Sequence, residues 1–504
     1  MNNKHNTFFD CFRLWHLASL PPRRSDHSHY HPYVRSYSFR RATMSRFVRA
    51  SKYRHVFGNS TKRDQCFDNL KVSRSAWDTN LVKANPLFIS VNIEASGGGA
   101  FAVLSHTNTG KLSDNLAVYN GHTAAVLDTD FNPFNDHVIA SASEDTKVMI
   151  WTIPQGGPVE SISTPAATLT GHGRKVGHVL FHPTADNVLA SASADFTIKL
   201  WDIATGQEKT ELTGHTEIIQ SLSWNYDGSL LATTCKDKKL RVFDVRANKV
   251  VQEAVGHQGI KGARVQWMGN ADRFVTTGFS RTSDRQVYIY DSKNLSAPLK
   301  QENIDTASGL LMPFFDADTS MLYLAGKGDG NIRYYEWVDD EKGLYFLSEY
   351  KSADPQRGLS FLPKRAVNVS ETEIARAYKV HPTLVEPISF KVPRKSDAFQ
   401  SDLYPETLGA EPSLTADEFF SGKTSPPKLI SLETGFAAAT TAKEFVTTAK
   451  PVEAVNEKVP TTEKEYQDAY HALRKENEDL KNQISNRDAR IRQLEAQVES
   501  LGKK

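Results

Sequence analysis

Apolar and small residues recur along the first two thirds of this chain in short alternating runs, never in long blocks. Val138-Ile-Ala-Ser-Ala-Ser143 and Val188-Leu-Ala-Ser-Ala-Ser193 are small and apolar, as strands packed on both faces require. Thr146-Lys-Val-Met-Ile-Trp151 and Thr197-Ile-Lys-Leu-Trp201 alternate polar with apolar and end in tryptophan. Phe88–Ile93 and Phe101–Leu104 are further strand-like runs. The longest apolar stretches, such as Leu310–Phe315, fall far short of the roughly 20 residues that cross a bilayer. The pattern changes at Thr462, where Glu, Lys, Arg, Gln, Ala and Leu take over and the first glycine is Gly502. That stretch predicts one long helix.

The strand runs belong to a repeat. Gly121-His122, Gly171-His172, Gly214-His215 and Gly256-His257 are spaced by 50, 43 and 42 residues. About 30 residues after each comes an aromatic: Trp151, Trp201, Phe243 and Tyr290, with a weaker Tyr335. Six residues before each aromatic stands an aspartate: Asp145, Asp195, Asp237, Asp284 and Asp329. This is the signature of WD repeats in a β-propeller. In that repeat family the aspartate bonds the histidine, and a Ser or Thr and the Trp complete the network. Burying the histidine without a partner would cost about 1–3 kcal/mol. His122, Asp145, Trp151, His172, Asp195, Trp201, His215 and Asp237 are therefore structural by position, although as a list they look catalytic.

Five clear repeats, a degenerate first blade over 87–119 and a last over 358–392 predict an all-β, seven-bladed propeller across 44–393. Closure removes open sheet edges, and residues 44–58 can supply an N-terminal strand to the last blade.

Several long motifs resemble the coronins. They are Met44-Ser-Arg-Phe-Val-Arg-Ala-Ser-Lys-Tyr-Arg-His-Val-Phe-Gly58, Asp64-Gln-Cys66, Lys71-Val-Ser-Arg74 and Glu94-Ala-Ser-Gly-Gly-Gly-Ala-Phe101. Asn135-Asp-His-Val-Ile-Ala-Ser-Ala-Ser-Glu-Asp145, Asp402-Leu-Tyr-Pro405 and Leu414-Thr-Ala-Asp-Glu-Phe419 add to them. The resemblance covers 44–504 and is to a short coronin of fungal type. It implies an actin-filament-binding protein that bundles filaments, regulates the nucleating complex of actin-related proteins and works with cofilin. It also implies a place in the cytoplasm, on the actin cytoskeleton and its cortical patches. A family arginine that contacts filamentous actin aligns with Lys71, so charge is kept but the planar fork is lost. Lys62, Arg63 and Arg74 would extend the basic patch.

A heptad fits the C-terminal helix, with Tyr470, Asn477, Ile484, Ile491 and Val498 at a. Tyr466, Leu473, Leu480, Arg487, Leu494 and Leu501 fall at d. Ile and Val at a with Leu at d favour two strands. Against that, Arg490-Ile491-x-x-Leu494-Glu495 resembles the trimer motif of coronin coils, in which Arg at g pairs with Glu at e of the next chain. The expected homo-oligomer is a trimer in preference to a dimer, over 463–504. Between propeller and coil, 394–434 carries four prolines but also Phe399, Leu403, Tyr404, Leu414, Phe419 and Phe420, which suggests a strap lying on the propeller. Residues 435–462 read as a flexible linker.

Composition adds limits. Of 504 residues, 61 are Lys or Arg and 59 Asp or Glu, so a net charge of +2 argues against a dedicated polyanion binder. No nucleic-acid partner and no integral membrane association are expected. Three scattered cysteines exclude a disulfide framework. Residues 1–43, rich in Arg, Ser and His, read as a disordered tail or a misassigned start, with Met44 opening a different kind of sequence. Gly97-Gly98-Gly99 precedes a strand, not a helix, and so reads as a turn instead of a phosphate cradle. His172, His178 and His182 are too far apart on a strand to share one metal ion. No cofactor and no enzymatic activity are expected. The alternative to a filament regulator is a general WD-repeat scaffold or adaptor in trafficking or ubiquitin ligation.

Overall fold

The computed structural model describes residues 49–95, 97–395, 398–436 and 443–448, with seven isolated helical positions between 467 and 481. Expectations for 1–43, and for Ile484, Arg490, Ile491, Leu494, Glu495 and Val498 in the coil, lie outside these residues.

Seven sheets stand in a ring. Blade 1 is built from Val82–Ala84, Phe88–Ile93, Gly99–Ser105 and Tyr119–His122. Blades 2 to 6 are consecutive four-stranded antiparallel meanders that begin at Val126, Val176, Ile219, Arg264 and Leu311. Strands such as Val138–Ser143 are buried along their whole length because both faces meet a neighbouring blade. Val138, Ala140 and Ala142 join the cluster between blades 2 and 3, while Ile139 joins the one between blades 1 and 2. Seven apolar clusters of this kind fill the seven gaps between blades.

Blade 7 takes strands from both parts of the chain. Gly358–Phe361, Glu373–Val380 and Leu384–Lys391 come late in the sequence, and the outer position is filled by Phe57–Ser60 and Phe67–Asp68. The closing strand thus starts where the expected segment 44–58 ends. Phe57 faces Lys391 and Ser60 faces Ile388, then pairing resumes with Phe67 opposite Val385. Pro387, which has no N–H to offer, falls in the gap, and the chain bulges away there through the 3₁₀ turn Arg63–Gln65.

The repeat histidines bolt each connection to the next blade. Trp151 Nε1 donates to Ser141 Oγ (2.8 Å), Ser141 Oγ meets His122 Nε2 (2.7 Å), and His122 Nδ1 donates to Asp145 (2.8 Å). The same chain joins Trp201, Ser191, His172 and Asp195. The next repeat departs from this pattern. His215 bonds Thr233, but Asp237 turns to Arg241 (2.7 Å) and Thr216. Phe243 has no N–H to anchor the network, and buried Arg241 offers the aspartate a stronger, charged partner. Asp284 likewise bonds Ser280 and Thr282, and Asp329 pairs with Arg285.

The strap crosses the propeller on one face. Leu403 and Tyr404 enter the cluster between blades 6 and 7, and Phe399 stacks on Tyr404. Leu414 and Phe419 enter the cluster between blades 3 and 4, where Phe419 packs on His182 (4.3 Å). The short helix Ala416–Phe420, which carries Phe419, starts with a Thr415–Glu418 capping box. Contact with the blades continues past 434. Asn135 donates to the Lys443 carbonyl, Phe445 packs on the cluster between blades 2 and 3, and Thr448 N–H donates to Ala204. Composition alone assigned 435–462 to the linker, but Phe445 within it finds an apolar gap.

Ser141→Ala removes one hydroxyl that serves both Trp151 and His122. Two buried polar groups then lose their partner, and the unfolding free energy in urea should fall by about 2–4 kcal/mol. Wild-type stability would refute this role.

Candidate binding face at the channel mouth

Two of the four expected basic residues, Lys62 and Arg63, lie at the bulge between the two halves of the closing strand, and the other two, Lys71 and Arg74, on the connection that leads from it into blade 1. Lys62 and Arg63 sit at the 3₁₀ turn, exposed. Arg63 is engaged with Asp68 (2.8 Å), whose carboxyl is held below its usual range by the Asn69 N–H and by Arg63. Lys71 and Arg74 follow on the far side of the closing strand. Val72 pairs with Ile93, Glu94 N–H donates to the Lys71 carbonyl (2.7 Å), and Ser73 N–H donates to Asn92. This pairing buries Val72 and turns Lys71 outward. Arg74 stands 3.5 Å from Glu94. Lys62 and Lys71 have no acidic partner among the described residues. Family resemblance, not composition, singled out this segment in the sequence.

The chain then dips into the mouth of the central channel. Trp77 Nε1 donates to the Gly177 carbonyl (3.0 Å) and Thr79 Oγ1 to that of Leu127 (2.6 Å). Asp78 receives Arg264 (3.0 Å) and Lys327 (2.7 Å). Sequence reading missed this plug, because its partners lie on blades 2, 3, 5 and 6 and no local pattern joins them. Around it opens a recess of about 650 Å³.

Charges continue down the channel. In blades 2, 3 and 4 the register of the innermost strand shifts by one residue near its start, between Val126 and Asp128, Val176 and His178, and Ile219 and Ser221. These bulges disrupt the ladder near the mouth. The free strand edges that face the channel are satisfied by side chains from the preceding blade. Asp128 and Asp130 accept from Val179 and Phe181 N–H, and Ser221 and Ser223 from Val265 and Trp267. Burial, only partly offset by Lys83, pushes the Asp128 carboxyl up to about 6. Burial and nearby Arg264 push His178 down to about 3, so it stays neutral. Burial opposes the charge on Asp78, yet Arg264 and Lys327 hold its carboxyl well below the usual range. Cys66 and Cys235 are buried thiols raised to about 11. His172, His178 and His182 have separate partners, and the described residues include no cluster suited to a metal ion.

Several known proteins are similar to this chain. Residues 46–111 match a domain of unknown function (DUF1899), which spans the closing strand, the basic segment, the plug and most of blade 1. The WD domain, G-beta repeat, matches 113–152, 163–202 and 206–244, and a further type of WD40 repeat matches 385–427. Coronin-A of Dictyostelium discoideum is 56% identical over 451 residues, 90% of this chain and 100% of that one. This chain belongs to the coronin family. A coronin-like protein of Schizosaccharomyces pombe is 49% identical over 412 residues, covering 81% of this chain and 68% of its own. The WD40 domain of Toxoplasma gondii coronin superposes with a TM-score of 0.71 at 34% identity, covering 75% of this chain and 97% of that domain. Coronin membership makes this an actin-associated WD-repeat protein.

The buried Asp128 has a pH signature. Its folded pKa is raised, so the stabilisation it gives is complete below the unfolded value near 4 and is lost as pH rises through about 6. Asp128→Asn keeps an acceptor for Val179 and mimics the protonated acid. Relative to wild type, the variant should gain about 2 kcal/mol between pH 4 and 7, measured by urea unfolding. A pH-independent difference would overturn the assignment.

Proposed function

We propose that this coronin-family chain binds filamentous actin through the segment that ends in Lys71 and Arg74, with Lys62 and Arg63 widening the basic surface. The observation that carries this reading is the pairing of charges. Arg63 and Arg74 have acidic neighbours, whereas Lys62 and Lys71 are exposed cations without one among the described residues. Uncompensated cations suit an acidic protein surface, where they raise the association rate and fix register. The C-terminal heptads support oligomerisation, and the resemblance of Arg490-Ile491-x-x-Leu494-Glu495 to the trimer motif of coronin coils supports three chains in preference to two. Several weak propellers on one stalk would crosslink or bundle filaments through avidity. Regulation of the nucleating complex of actin-related proteins and cooperation with cofilin, in the cytoplasm at cortical actin patches, complete the proposal, supported by family membership.

Lys71→Asp should weaken filament co-sedimentation about tenfold at low salt, equivalent to about 1.4 kcal/mol, with unfolding unchanged. Lys71→Arg should bind at least as tightly as wild type. Unchanged binding of Lys71→Asp would sink the assignment. For the oligomer, sedimentation equilibrium of the full chain should give a trimer mass, and Ile491→Asp with Leu494→Asp a monomer that no longer bundles filaments. A clean dimer mass for the wild type would refute the trimer.

A further inference from the structure

The segment from Lys71 to Asn80 has two ends of different character. At its start Lys71 and Arg74 are exposed and basic, and its last residues are gripped in the channel mouth. The grip comes from five other blades, of which blade 2 accepts from Thr79 Oγ1 at the Leu127 carbonyl (2.6 Å). From blade 5, Arg264 reaches the Asp78 carbonyl (2.7 Å), both Asp78 carboxylate oxygens (3.0 and 3.3 Å) and Asn80 Oδ1 (3.3 Å). From blade 6, Lys327 holds the Thr79 carbonyl (2.6 Å) and the Asp78 carboxylate. Blades 3 and 7 contribute by what they lack. A Cβ on Gly177 would lie 2.2 Å from the Trp77 ring, and its three nearest atoms would all belong to that ring. A Cβ on Gly358 would lie 1.9 Å from the Asn80 carbonyl oxygen, next to Leu81. Neither glycine has a positive φ, so at both positions it is the close approach of the plug that excludes a side chain.

The backbone at the end of the segment is strained as well. Leu81, a buried leucine, is left-handed at φ 62°. Such a conformation persists only where its surroundings impose it. Lys175 Nζ lies 4.7 Å from the Trp77 ring centroid, a cation over an aromatic face. With Lys71 paired to blade 1 at one end and Asp78 clamped at the other, the intervening residues have little freedom.

We infer that Arg264, Lys327, Gly177 and Gly358 are positioning residues for filament binding. By locking Trp77–Asn80 in the channel mouth they hold Lys71 and Arg74 in the geometry that a filament recognises. The inference rests on the filament reading of Lys71. Its physical content is preorganisation: a free basic loop would have to be ordered on binding, at a cost in affinity.

Two variants of the full chain test it by different routes. Gly177→Ala drives a methyl into the indole, and Asp78→Asn removes the charge that Arg264 and Lys327 share. Hydrogen exchange should accelerate at least tenfold at the amides of 71–80 while the strands of blades 2 to 6 keep wild-type protection. Filament co-sedimentation should weaken about three- to tenfold and lose part of its salt dependence. Adding Lys71→Asp to Gly177→Ala should cost less than Lys71→Asp does alone, because both act through one element. Unchanged exchange over 71–80 in both variants would overturn the clamp itself. Faster exchange with wild-type binding, while Lys71→Asp alone weakens binding, would overturn its role in recognition and leave the filament reading standing. Wild-type binding by Lys71→Asp would refute the filament reading, and the recognition role of the clamp with it.

Discussion

The backbone of a β-sheet ends in an edge, and a ring of sheets tolerates no mismatched edge without exposing a row of unpaired N–H and C=O groups. Everything else in this molecule depends on how that edge is closed at blade 7. The last strand, Leu384–Lys391, is met by Phe57–Ser60 and Phe67–Asp68, residues more than 300 positions earlier. Closure in turn fixes the route of the chain. A strand on the outside of blade 7 must cross the face of the ring to start blade 1, and that crossing carries Lys71, Arg74 and the plug. The candidate binding segment is a by-product of the join.

The innermost edges face the same constraint in a different setting. No fifth strand fits in the channel, so side chains of the preceding blade substitute for one. Asp128, Asp130, Ser221 and Ser223 accept the N–H groups that a strand would have taken. Carboxylates placed there for geometry are buried for the same reason. Lys83 pairs with Asp130, and Arg264 and Lys327 with Asp78 of the plug. The channel is a charge-balanced packing solution on which the plug has been built.

Fixed positions in the repeat do not enforce a fixed chemistry. Blades 2 and 3 close the histidine, serine, tryptophan and aspartate chain. In blades 4 and 6 an arginine takes the aspartate instead, Arg241 for Asp237 and Arg285 for Asp329, while Asp284 of blade 5 accepts from Ser280 and Thr282. Each arrangement satisfies the aspartate of the tight turn. His215 keeps one bond, to Thr233, and is held neutral by burial, with its pKa lowered to about 4.

The sequence by itself determined the number of blades, their strands and the burial of the repeat residues. Those follow from alternation within a strand and from a period of 42 to 50 residues, both local signals. It also marked Leu403, Tyr404, Leu414 and Phe419 as anchors, because aromatic and leucine side chains amid prolines have to be buried somewhere. Tertiary structure alone decided the rest. Whether Asp237 bonds His215 or Arg241 depends on which side chain lies beside it across the turn. That Phe445 docks between blades 2 and 3 depends on an apolar gap formed by residues 240 to 310 positions away. The grip on Asp78 requires Arg264 and Lys327, nearly 190 and 250 residues distant, to converge on one channel mouth. Periodicity in a sequence reports the faces of a strand, but it carries no record of which distant side chains a closed ring brings together at its centre.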